Sequence, residues 1–203
     1  YNVVVGDEAG TAITTGDGNV AVGYSAGDAL DVGSYNIAVG MNALTADTKG
    51  STSIAIGYGT LTAQNFTSAT DAHNTAIGHG TGGAVTTGIN NTLIGGLAGD
   101  AITTGASNVA VGQSALGGNT TASYNTAVGS DALKLNTTGA SNIGIGHQAL
   151  YTNTTGASNV SIGHGSLYNN TTASNNTAVG YFSLLANTTG TAGTAVGKSA
   201  LAA

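Results

Sequence analysis

Asn125-Thr126-Ala127-Val128-Gly129 is one copy of a five-residue pattern that runs through the whole chain of 203 residues. Aligned on its glycine, the pattern recurs at Gly6, Gly23, Gly40, Gly57, Gly78, Gly95, Gly112, Gly129, Gly146, Gly163, Gly180 and Gly197. Every interval is 17 residues except the one from Gly57 to Gly78, which is 21. So regular a period marks a repeat architecture, and a repeat too short for a helix pair predicts stacked β coils. The expected fold is all-β: a parallel β-solenoid, or β-roll, of twelve 17-residue coils with one four-residue insertion, residues 1–203 forming a single repeat domain. At the spacing of adjacent strands, twelve coils make a rod about 55 Å long. The chain opens in mid-repeat at Tyr1 and stops at Ala203, as a segment of a longer fibrous protein would.

With the repeat numbered from its Asn, position four is Val or Ile in all twelve copies and position two is Val, Ile or Thr. Residues two apart on a strand share a face, so these columns are expected to form the inner wall of the coil. Position three then points outward. It holds Ala in eight copies, with Val4, Leu93, Gly144 and Ser161 in the others. An outward stripe of small apolar residues predicts an intersubunit interface; packing within the same coil is the alternative. The second half of the repeat has its own rule. Eight copies carry Leu four residues after the Gly, among them Leu116, Leu133 and Leu150. The other four have Gly there and an apolar residue seven after the Gly: Ile13, Leu30, Val85 and Ile102. This exchange predicts one pocket per coil that must be filled once. Polar turns such as Asn136-Thr137-Thr138-Gly139 close each coil. Proline is absent, as suits a backbone whose donors are all wanted by neighbouring coils.

Composition excludes several partners. With three Lys, no Arg and nine acids, the chain has no basic patch for nucleic acid or anionic lipid. It lacks cysteine, and no apolar run is long enough to insert in a membrane. Asp28 and Asp100 share a column but are coils apart, so no carboxylate pair for glycoside hydrolysis is expected, and no catalytic residue is assigned. His79, His147 and His164 each follow a pentad Gly; a solvated column explains them, and no metal or cofactor is assigned. Asn-x-Ser/Thr triplets at Asn119, Asn136, Asn153 and Asn187 fall in the turn column, where turn chemistry accounts for them. The insertion lies within 64–73, and because insertions in solenoids project as loops, Gln64, Asn65, Phe66, Thr67 and Ser68 are the candidate receptor contacts.

The phrases NTAVGSDAL at 125–133, NTTGASN at 153–159 and SIAIG at 53–57 resemble the head repeats of trimeric autotransporter adhesins of the YadA type, and equally the NTAVG-type repeats of bacteriophage tail-fibre proteins. The resemblance covers the whole chain, although 17 exceeds the repeat of about 14 residues associated with those adhesin heads. It implies a β-roll in which three chains pack side by side as a homotrimer, located outside the cell or on a virion, with a role in attachment to a cell-surface glycan or protein receptor. The function expected is therefore a non-enzymatic surface-attachment fibre. A purely structural spacer and a single-chain ice-binding solenoid are the alternatives. Against the latter, paired threonines such as Thr154 and Thr155 point to opposite sides if extended.

Overall fold

The structure, a computed structural model that describes all of residues 1–203, is a parallel β-solenoid without helices. Each pentad supplies one three-residue strand, from Val3–Val5 to Thr194–Val196, and the twelve lie in sequence order in a single sheet. Every pair is parallel and in register, so like columns meet: Thr126 opposes Ile143, Ala127 opposes Gly144 and Val128 opposes Ile145. The remainder of each coil is turn, held to the next coil by backbone hydrogen bonds such as Leu133 N to Ala149 O and Leu150 N to Ser166 O.

The coil turns this tightly because four of its positions adopt positive φ. In the coil beginning at Asn125 they are Gly129 (129°), Asp131 (57°), Leu133 (52°) and Ser141 (60°). The last three lie in the left-handed helical region, open at a cost to ordinary residues. The first lies where only glycine goes, and a Cβ built on Gly129 would stand 2.6 Å from the Gly146 carbonyl oxygen. The twelvefold repetition of the pentad glycine follows from that approach of coil to coil.

The structure reverses the expected orientation of the strand. Ala21, Ala38, Ala55, Ala76, Ala110, Ala127 and Ala178 at position three are fully buried inside the coil, and the position-two and position-four residues face outward. The Ala column is therefore an interior wall, and the intersubunit role expected of it is withdrawn. The cause is the thinness of the coil. One large side chain per coil fills the space behind the strand, and only a small residue fits opposite. Ser161 at position three and Ser166 on the facing wall touch, with 2.6 Å between their hydroxyl oxygens.

That single filling follows the Leu-for-Gly exchange. Leu44, Leu61, Leu116, Leu133, Leu150 and Leu167 are fully buried, and in the Gly coils Leu30, Val85 and Ile102 take their place. The terminal members depart from it: Ile13 is half-buried and Leu201 exposed. Leu93 is the exception, because its coil buries both Leu93 and Ile102, and the glycines beside them make the room. It is the one large residue at position three after the first coil, and it lies against Gly82 and Gly99, where a Cβ would meet its methyl groups at 2.8 Å.

Two ladders of buried amides run beside this apolar filling. At position one, Asn125 N donates to Asn108 Oδ1 (3.0 Å) while Asn125 Nδ2 donates to Gly139 O (3.0 Å), a pattern repeated coil after coil. At position twelve of the Leu coils, Asn153 Nδ2 donates to Asn136 Oδ1 (2.7 Å) and to Gly156 O (2.8 Å). Asn119, Asn136 and Asn153, noted above as triplets, are thus interior residues.

Candidate interaction surfaces

The outward positions of the twelve-stranded sheet form the largest uniform feature of the surface. Nineteen of its 24 side chains are Val or Ile, the other five Thr. Ile94 is 37% exposed and Ile145 38%, the upper end along the stripe away from the rod's two ends, and most other members are half-buried. The stripe is two residues wide and follows the rod for about 55 Å, giving on the order of 500 Å² of β-branched surface. That is at the upper end of what a soluble monomer leaves uncovered.

The five residues expected to contact a receptor divide between surface and interior. Asn65, Thr67 and Ser68 are exposed, whereas Gln64 is fully buried and Phe66 is 5% exposed, so neither of these two is available to a partner. Gln64 has a structural task. Its coil has Ser53 in place of the position-one Asn, and Gln64, one methylene longer than the Asn of its ladder, reaches across to bridge the gap. Gln64 Nε2 donates to Ser53 Oγ (2.9 Å) and to Asp47 Oδ2 (2.7 Å), and Gln64 Oε1 accepts from Asn74 Nδ2 (2.8 Å). The extra chain forms a bulge at 66–71, pinned by a short parallel pairing of Gly50–Ser51 with Thr70–Asp71 and by Lys49 Nζ donating to Thr67 O (3.2 Å). Nothing in the sequence period distinguishes a bridging Gln from an exposed one.

Aromatic residues stack along the rod in ladders. At position six, directly after the pentad Gly, His147, His164 and Tyr181 stack at 5.1 and 5.2 Å between ring centroids, and Lys198 Nζ lies 5.9 Å from the Tyr181 ring. Tyr58 and His79 stack in the same column. At position ten, Tyr151 and Tyr168 stack at 5.1 Å beside Lys134, which pairs with Asp131 at 2.8 Å; this bond holds the Lys134 pKa above its ordinary value. Asp28 and Asp100 occupy position ten in two of the Gly coils, and burial raises both carboxyls above the usual range. The buried Asp28 Oδ1 has no hydrogen-bond partner. No three His, Asp or Glu side chains come together in a group able to hold a metal ion.

The paired threonines behave unequally. In every pair before Thr188 the first threonine uses its hydroxyl on the next coil, as Thr154 Oγ1 does to Thr171 O (3.0 Å), while the second, as at Thr155, is exposed. No helix is long and apolar enough to cross a membrane. No protein-family model, no curated protein and no solved structure matches this chain.

Proposed function

We propose that the chain is the rod or head of a non-enzymatic surface-attachment fibre, displayed on a virion or cell exterior, in which three copies pack side by side through the Val/Ile face. The observation that carries this reading is that face: a flat, β-branched, uncharged strip with the length of the rod and no covering within its own chain. Three such strips turned inward around one axis would bury it, as burial of apolar surface favours. The resemblance of the repeats to those of adhesin heads and tail fibres supports the same arrangement. Attachment is then passive and multivalent, weak contacts from three chains adding by avidity. In this reading the receptor contacts fall on the exposed part of the bulge, Asn65, Thr67 and Ser68, and on the outward turns.

The test is the mass in solution. Light scattering is expected to give three times the chain mass of 19.4 kDa. Replacing Ile94 and Ile145 together by Lys, on side chains that point away from the interior, is expected to give folded monomers with unchanged β-sheet circular dichroism. A folded wild-type monomer, or a trimer indifferent to both lysines, would refute the packing.

A further inference from the structure

The columns that border the Val/Ile face carry most of the tyrosine of the protein. Six of the eight Tyr stand either at position seventeen, just before the strand (Tyr1, Tyr35, Tyr124), or at position six, just after it (Tyr24, Tyr58, Tyr181). All six are exposed, Tyr35 and Tyr124 to 66% and 68%. Aromatic side chains of this kind, rimming an apolar strip, are what protein interfaces select.

The two columns are not independent. Where position seventeen is Tyr, position six of the same strand has no ring: Tyr1 goes with Asp7, Tyr35 with Met41 and Tyr124 with Ser130. Where position six is a ring, position seventeen is small or polar: Gly18 goes with Tyr24, Thr52 with Tyr58, Ser141 with His147, Ser158 with His164 and Asn175 with Tyr181. Eight of the twelve levels thus carry one ring. Three carry none, and the level of His73 and His79 carries two, His73 being turned back so that its Nδ1 lies 3.1 Å from Thr52 Oγ1. The compensation has the form of the Leu-for-Gly exchange inside the coil, a space filled once. Yet the two positions lie at opposite ends of the three-residue strand, six residues and at most about 20 Å apart, and do not fill one space within one chain.

We infer that the space lies between chains: the position-seventeen flank of one copy packs on the position-six flank of the next copy at the same level of the rod. Such a contact joins two different patches, so it closes as a ring of parallel copies in axial register. A two-fold pair with antiparallel rods would reverse the levels and lose the match. The inference rests on the side-by-side packing proposed above and specifies its corners: one ring per level, contributed by either neighbour, seals the edge of the Val/Ile face.

A swap of the ring between flanks tests it. Ser130→Tyr places two rings at one level and is expected to weaken association at least tenfold. Adding Tyr124→Ser to the same chain returns a single ring to that level and should restore association to within about threefold of wild type. The two sites being too far apart to touch within a chain, additive effects would overturn the inference. A second measurement needs no change in affinity. The chain has no cysteine, so chains carrying Tyr124→Cys, mixed with chains carrying Ser130→Cys, should form disulfide-linked heterodimers on oxidation, in preference to either homodimer. Their absence from a preparation with trimeric mass rejects the flank contact and leaves the face intact. A monomeric wild-type protein removes the packing reading as a whole.

Discussion

Gly129 and Ser141 both have positive φ, yet the two positions ask for different things. At Gly129 a side chain meets the neighbouring coil and a backbone region closed to it, so Gly129→Ala is expected to cost on the order of 3 kcal/mol. At Ser141 the region is merely strained, and Ser141→Gly is expected to raise stability by a few tenths to 1 kcal/mol. Denaturant melts of the two variants should move in opposite directions. A loss at both would mean that the φ of position seventeen is not what limits that residue. The glycine was legible in the sequence because it recurs without exception. Gln64 was not, because its partners Ser53, Asp47 and Asn74 are 11, 17 and 10 residues away and only the coiled path brings them together.

At the scale of the coil, period and hydrophobic alternation gave the strands, their order and the one-filling rule, but could not say which face of the strand was the inner one. Alternation fixes only that positions two and four oppose position three. The usual preference for large residues inside then misleads, because a coil receives its large residue from the turn side, as at Leu133 or Leu30, and the strand opposite supplies a small one, Ala127 or Ala21. The filling rule makes its own prediction. Leu116→Gly alone should destabilise by about 2–4 kcal/mol through the cavity it leaves. Asn119→Ile in the same coil extends the Gly-type interior of the preceding coil, which ends at Ile102. Urea unfolding of Leu116→Gly/Asn119→Ile should therefore recover at least half of the loss, although Asn136 Nδ2 forfeits its bond to Asn119 Oδ1 (3.1 Å). A double variant no more stable than Leu116→Gly would show that the two fillings are not equivalent.

Across the whole rod, charge is unevenly placed: of the nine acids only Asp131 lies beyond Asp100. Asp28 and Asp100 have folded-state pKa values raised by burial above the ordinary 3.8. A carboxyl that binds its proton more tightly when folded opposes folding at neutral pH, and the penalty is relieved as pH falls through the raised value. Asp28→Asn and Asp100→Asn are accordingly expected to raise the melting temperature at pH 7 and to flatten its change between neutrality and the ordinary carboxylate range. A drop in melting temperature at pH 7 would show that the backbone bonds these carboxylates accept outweigh their burial.

The same stacking of like on like gives the rod a mechanical character. Successive coils are joined along the long axis by hydrogen bonds, side-chain ladders and a continuous apolar core, the peptide chain passing only from each coil to the next. A pull applied at the two ends is therefore expected not to shear a sheet but to peel one coil from the tip at a time, each releasing 17 residues, about 60 Å of slack. A rod built this way is expected to lengthen under load in equal steps, one coil at a time, where a globular domain would give way in a single large one.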